Sequence, residues 1–106
     1  MKREFYLSDK AEQDLFTHAR YIAQEDRDVA EKFISSFIET AKMVVDMPSI
    51  GKRYFDVDVR IDGMRVFPVR DFNRHLIFYR QVQKGKYIEI IRVIHSAQDI
   101  STLFGE

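Results

Sequence analysis

Ile88-Glu89-Ile90-Ile91-Arg92-Val93-Ile94-His95-Ser96-Ala97-Gln98-Asp99-Ile100 is the stretch whose reading decides the fold. Its first eight residues are mostly β-branched and follow the turn signal Lys84-Gly85-Lys86, so they predict a strand. Strict alternation puts Ile88, Ile90, Arg92 and Ile94 on one face and Glu89, Ile91, Val93 and His95 on the other. Apolar residues on both faces predict a strand inside a sheet rather than at its edge. Arg92 stands among isoleucines, where a guanidinium requires a carboxylate or carbonyl partner because an unpaired buried charge is too costly. Arg92, His95 and Asp99 therefore have two readings. One is a structural Arg–Asp or Arg–carbonyl pair; the other is a small polar site at the end of a strand.

Working outward, Leu76-Ile77-Phe78-Tyr79-Arg80-Gln81-Val82 predicts the preceding strand, with a turn over Gln83–Lys86 and polar turn material from Asp71 to Arg74. Asp62-Gly63 is a hairpin signal leading into Met64-Arg65-Val66-Phe67. Pro68 predicts a bulge or a free edge, since it cannot donate to a ladder. Phe55, Val57, Val59 and Ile61 alternate, which fits a strand, although an irregular loop fits the same residues.

The first half reads as helical. Phe5-Tyr6-Leu7 predicts a short opening strand, and Ser8 offers an N-cap, with Asp9 and Glu12 in the first turn where the helix dipole favours acids. Ala11, Leu15, Ala19, Ile22 and Ala23 share one helical face, in a helix ending near Gln24. Asp28 and Glu31 form a capping-box-like start for a second helix. Its apolar stripe runs Ala30, Phe33, Ile34, Phe37, Ile38, Ala41, Val44 and Val45, and Pro48 and Gly51 end it. His18 lies beside the first stripe as a boundary residue. The order β-α-α-β-β-β predicts an α+β fold: an antiparallel sheet with a helical hairpin packed on one face.

Composition bounds the function. With 106 residues the chain is the size of a single domain, 1–106. Hydrophobic residues at 45% and charged residues at 32% suit a soluble domain, and no apolar run approaches the length of a membrane span. The N-terminal MKREFYLSDK carries no secretory apolar segment, so a cytoplasmic location is expected. The absence of cysteine excludes disulfides and thiolate chemistry. His18, His75 and His95 lack metal-ligand spacing, so neither a metal nor another cofactor is expected. Formal net charge is +0 but unevenly spread. Asp9–Asp46 holds nine acidic and five basic residues, whereas Lys52–Arg80 holds seven basic and four acidic. Such an excess suits phosphate or an acidic partner, and equally a set of solvated strand edges.

Taken in order, several of these pieces resemble the RelE/ParE superfamily of type II toxin–antitoxin toxins, and its ParE branch most. They are Leu7-Ser8 before the first helix, Asp14-Leu15 and Tyr21-Ile22-Ala23 within it, and Phe33-Ile34 in the second. Pro48-x-x-Gly51, Gly63-Met64-Arg65 and Leu76-Ile77-Phe78-Tyr79-Arg80 follow. The ending Ile90-Ile91-Arg92-Val93-Ile94-His95 with Asp99-Ile100 is similar to the branch's "I-x-R-V-x-H…D". Correspondence is least over Arg53–Asp62. The resemblance implies a plasmid stabilisation-like toxin neutralised by a cognate antitoxin, whose C-terminal segment orders on the toxin's hydrophobic surfaces. Phe67, Phe72, Phe78 and Phe104 are candidates for such surfaces, or for core.

Within the superfamily two activities compete. A ParE-like member inhibits DNA gyrase without catalysis of its own; a RelE-like member is an endonuclease that cuts messenger RNA on the ribosome. Cleavage through the ribose 2′-OH requires a base, an acid and cations around the phosphorane. Arg65, Arg92, His95 and Tyr79 are the candidates for that chemistry. However, Leu76-Ile77-Phe78-Tyr79 is apolar where that branch tends to place an arginine, and Ser96-Ala97-Gln98 adds no second basic residue. A neutral chain also suits ribosomal RNA poorly, and no direct sequence-specific nucleic-acid binding is expected. The resemblance therefore favours gyrase inhibition, with Arg65, Arg70, Arg80 and Phe104 as candidate target contacts and Arg92, His95 and Asp99 as a structural signature. A degenerate, non-toxic member that still binds antitoxin is the third alternative.

Overall fold

The computed structural model describes residues 3–56 and 59–104. Strand β1 (Glu4–Leu7) leads into helices α1 (Asp9–Ala23) and α2 (Arg27–Asp46), then a single 3-10 turn over Pro48–Ile50. Strands β2 (Lys52–Arg53), β3 (Arg65–Val69), β4 (Phe72–Val82) and β5 (Tyr87–His95) follow, and a short helix α3 (Ile100–Phe104) closes the described chain. One sheet forms in the order β1-β5-β4-β3-β2. The fold is α+β with the helical hairpin on one face. Its sheet is mostly antiparallel rather than wholly so, because β1 lies parallel to β5. That parallel pairing follows from connectivity: α1 and α2 intervene between β1 and the meander, as parallel neighbours require.

The hairpin forms where its caps dictate. Ser8 Oγ accepts from the Ala11 N–H at 3.0 Å and donates to the Ile91 carbonyl at 2.7 Å, so one hydroxyl caps α1 and ties it to β5. At α2 the cap is Asp26, not Asp28: its carboxylate accepts from the N–H groups of Asp28 (2.9 Å) and Val29 (3.2 Å). Asp28 instead lies inside the first turn. Two residues, Gln24 and Glu25, and the Asp26 cap are all that separate the helices.

On the hairpin side, Ala11, Phe33, Phe37, Ala41 and Val44 pack on Val69, Ile77, Tyr79, Ile88, Ile90 and Val93. The other face carries a second core, in which Val59, Met64, Phe78 and Ile94 are buried beneath Tyr54, Ile61, Leu103 and Phe104. Residues 54–56 and 59–64 are therefore mainly loop: β2 is two residues long, and one isolated bridge joins Asp56 to Val59. Of the alternating set, Val57 lies outside the described residues. The turn at Asp62-Gly63 is present, closed by the Met64 N–H donating to the Ile61 carbonyl at 3.3 Å with Gly63 at φ 73°. It ends the loop instead of joining two long strands.

Two further differences follow from local geometry. Strand β4 begins at Phe72, four residues before the predicted strand, because Arg70-Asp71 suffices as a turn with Asp71 at φ 65°. In β5 a bulge breaks the alternation: Phe78 pairs with Arg92 but Tyr79 pairs with Ile90, leaving Ile91 as the extra residue. Everything beyond it changes face. Ile88 and Ile90 now share the hairpin core with Val93, whereas Ile94 joins Phe78 in the second core with Ile91 beside it. Strand β5 is interior, between β1 and β4, and a second irregularity lies at Pro68/Val69 in β3.

Candidate functional site: the polar end of strand β5 and the hairpin groove

Beyond Ile90 strand β5 outruns β1, and α1 supplies the missing hydrogen-bond partners. Ser8 reaches the Ile91 carbonyl, Asp14 Oδ2 accepts from the Val93 N–H at 3.0 Å, and His18 Nε2 lies 3.1 Å from the Val93 carbonyl. A carbonyl can only accept, so His18 carries its proton on Nε2. Arg92, 8% exposed, makes a bidentate pair with Asp14: Nε to Oδ2 at 2.7 Å and Nη2 to Oδ1 at 2.8 Å. Its Nη1 donates to the Leu103 carbonyl at 2.6 Å. Thus Arg92 binds α1 and α3 to β5 through both an Arg–Asp and an Arg–carbonyl contact. Asp99 takes a different place, before α3, where its carboxylate accepts from the Thr102 hydroxyl at 2.8 Å and the Thr102 N–H at 3.4 Å.

His95 closes β5. Its Nδ1 accepts from the Ala97 N–H at 3.0 Å, and its own N–H donates to Gln98 Oε1 at 2.8 Å. Its ring meets His75, its register partner on β4, at 4.9 Å between centroids, and His75 meets His18 at 5.0 Å. Burial, then the two flanking imidazoles, push His75 down from 6.5 to about 4. His18 is also lowered, chiefly by burial, with its Val93 bond and Asp14 opposing that shift. No group of three or more His, Cys, Asp or Glu side chains that could hold a metal ion occurs among the described residues.

The other candidates are distributed over the molecule. Tyr79 is fully buried; its hydroxyl donates to the Pro48 carbonyl at 2.6 Å and accepts from the Gly51 N–H at 2.9 Å. Burial raises its pKa, while the Gly51 N–H and Arg65 oppose the rise. Arg65, the register partner of Tyr79, donates to the Gly51 carbonyl at 2.7 Å. Both residues thereby anchor the segment that follows α2. Arg80 pairs across the sheet with Glu89 at 2.8 Å, and Arg70 is exposed in the β3–β4 turn, where its N–H donates to Thr40 Oγ1. Phe104 packs on Phe78 at 5.0 Å, Phe67 and Phe72 flank the hairpin core, and Phe78 is fully buried.

Sequence reasoning left out three features. Asp14 as the partner of Arg92 had a usable signal, since Asp14 and His18 stand at i, i+4 on the flank of the α1 stripe. Convergence of the three histidines had none, because it depends on register. The third feature is a groove along the outer face of the hairpin. Its floor is Phe16, Ala19, Ala23, Ala30 and Ile34, with Asp9 and Glu12 toward one end and Arg20 and Arg27 toward the other. Phe16 is 63% exposed and Tyr21, also on α1, 71%.

A helical hairpin over one face of a mostly antiparallel sheet, with α3 and a loop over the other, is the architecture of RelE/ParE-like toxins. A family model described as "ParE toxin of type II toxin-antitoxin system, parDE" matches residues 5–100, and the chain belongs to that family. Among solved structures, a chain from the "Chromosomal ParDE TA system from P. aeruginosa" shares the fold with a TM-score of 0.66 and 20% identity. The match covers 89% of this chain and 96% of that one. No curated protein matches in sequence.

Proposed function

We propose that this ParE-family toxin arrests growth by binding DNA gyrase, performs no catalysis of its own, and is neutralised by an antitoxin that covers the hairpin groove. The whole chain acts as one toxin domain, in the cytoplasm where gyrase resides. The observation that carries this reading is how the candidate catalytic residues are engaged. Tyr79 is fully buried with both hydrogen-bonding sides of its hydroxyl occupied, and the Arg92 guanidinium is bound to Asp14 and Leu103. A base or a phosphorane-stabilising cation must reach the reacting atoms, and neither group does so without dismantling the fold. The outward-facing features suit binding: an apolar groove with exposed aromatics on the hairpin, and Arg80 and Phe104 on the opposite layer.

The P. aeruginosa chain comes from a ParDE system, which supports an antitoxin partner here. An apolar groove floored by alanines lets an amphipathic helix approach closely, and small-floor grooves of this kind are a recurrent mode of helix recognition. Arg65, Arg70, Arg80 and Phe104 remain the proposed gyrase contacts. The deciding experiment is paired. Purified protein is expected to inhibit gyrase supercoiling or to accumulate cleaved DNA complexes, and to leave messenger RNA intact in a translating extract. Codon-dependent cuts in the extract with gyrase unaffected would establish the endonuclease reading instead. Inactivity in both assays, with antitoxin binding retained, would identify a non-toxic member.

A further inference from the structure

His18 of α1, His75 of β4 and His95 of β5 form one row of rings, each meeting its neighbour edge-on. His75 is the middle ring and also meets Phe33 of α2 at 4.7 Å and Phe72 at 6.5 Å. Its ring neighbours are therefore two imidazoles and two phenyl rings, around a residue that is half-buried. The outer imidazoles are both committed: His18 through Nε2 to the Val93 carbonyl, His95 through Nδ1 to the Ala97 N–H. Among the described residues, Asp14 from α1 and Arg92 from β5 are the charged groups that act on His18; they are bound to each other and act with opposite sign. Toward the row, α2 and the start of β4 present the rings of Phe33 and Phe72.

We propose that this row is an acid-sensitive pin: with its imidazoles neutral it adds to the hold of Asp14 and Ser8 on β5, and protonation of the central ring loosens α1 against the sheet. A cation on this half-buried ring, with no carboxylate among the described residues acting on it, is opposed by desolvation and by any charge gained on its two imidazole neighbours. The sign follows from linkage. Because His75 is lowered from 6.5 to about 4, the neutral row contributes its full stability above 6.5 and loses it as pH falls from 6.5 toward 4. Since α1 carries Phe16 and Ala19, loosening it also loosens one side of the hairpin groove.

The test compares the whole chain with His75→Phe, which keeps an apolar ring and removes the proton site. Urea unfolding at about pH 7, 5.5 and 4.5 is expected to show the wild type losing about tenfold more of its folded-to-unfolded ratio than the variant by pH 5.5, and roughly fiftyfold more by pH 4.5. Asp14–Arg92 and the other carboxylates are common to both proteins, so the difference isolates the imidazole. Equal pH dependence overturns the proposal. Amide hydrogen exchange in acid is expected to accelerate across α1 before the sheet; uniform acceleration also overturns it. Should His75→Phe fail to fold, NMR titration of His75 in the wild type decides, with a midpoint below about 5 supporting the pin and one near 6.5 overturning it.

Discussion

Arg92 shows how much one side chain can organise. Its guanidinium and the Asp14 carboxylate are about one-tenth exposed (10% and 14%), so the pair resists solvent screening. Removing one partner strands the other, and Arg92→Ala is expected to lower stability by about 3–5 kcal/mol in chemical unfolding. Adding Asp14→Ala should recover part of that loss, because the orphaned charge disappears. Full recovery is excluded, since the Val93 N–H and the Leu103 carbonyl then lack their partners. Strict additivity of the two substitutions would show that the pair is uncoupled. The sequence announced that Arg92 needed a partner but not which one, because Asp14 lies 78 residues away. A second residue-scale case is Gly51, whose φ of −75° any residue can adopt. Glycine is needed there for space: a Cβ would lie 2.5 Å from Tyr79 Oη and 2.9 Å from the Val66 carbonyl. Gly51→Ala should therefore cost about 1–3 kcal/mol by overpacking. Tyr79→Phe in the same background should relieve only part of it, because the Val66 carbonyl and the ring itself remain in the way. A Gly51→Ala protein with unchanged melting would remove this explanation.

Among elements, the helices were legible and strand β5 only half so, for identifiable reasons. Helix signals are local: Ser8 and the 3.6-residue stripes act within a turn or two of chain, and they place α1 and α2 to within a few residues. The start of α2 was misplaced because Asp26 and Asp28 both qualify as caps, and only geometry selects Asp26. That choice is measurable. Asp26→Ala is expected to cost about 1 kcal/mol, whereas Asp28→Ala, which removes only a first-turn charge, should cost a few tenths. Thermal melts with the reverse ranking would return the cap to Asp28. Strand β5 depends instead on a partner. The bulge at Ile91 has no glycine or proline to announce it, and it exchanges the faces of Val93, Ile94 and His95. Between Arg53 and Asp62 the sequence leaves strand and loop equally open, because alternating apolar residues there serve a second core that an αα-hairpin pattern does not require. The loop's attachment is polar as well as apolar: Ser101 Oγ donates to Asp56 Oδ2 at 2.8 Å, and the Tyr54 hydroxyl donates to the same oxygen at 3.3 Å.

For the molecule as a whole, the two layers offer a way to separate neutralisation from toxicity. The groove of Phe16, Ala19, Ala23, Ala30 and Ile34 lies on the outside of the hairpin, while Arg80 and Phe104 lie across the sheet from it. Exposed aromatic residues at the centre of a groove are the usual energetic anchors of a docked helix. Phe16 also lies under the Arg20 guanidinium at 5.6 Å, so it is held in place before any partner arrives. Phe16→Ala is expected to weaken antitoxin binding by about 2 kcal/mol, roughly 30-fold in Kd, with the melting temperature nearly unchanged because the ring is mostly solvent-exposed. Ala19→Glu, which fills the floor and adds a charge, should weaken it further. If gyrase is the target, as proposed, both variants should inhibit it to the same extent as the wild type. Arg80→Ala should behave in the opposite way, reducing gyrase inhibition while leaving antitoxin affinity intact, at small cost in stability given the exposure of the Arg80–Glu89 pair. Calorimetric titration with the cognate antitoxin and supercoiling assays on the same preparations supply both readouts. If groove variants lost both activities together while remaining folded, antitoxin and target would compete for one surface, and the two-layer assignment would have to be abandoned.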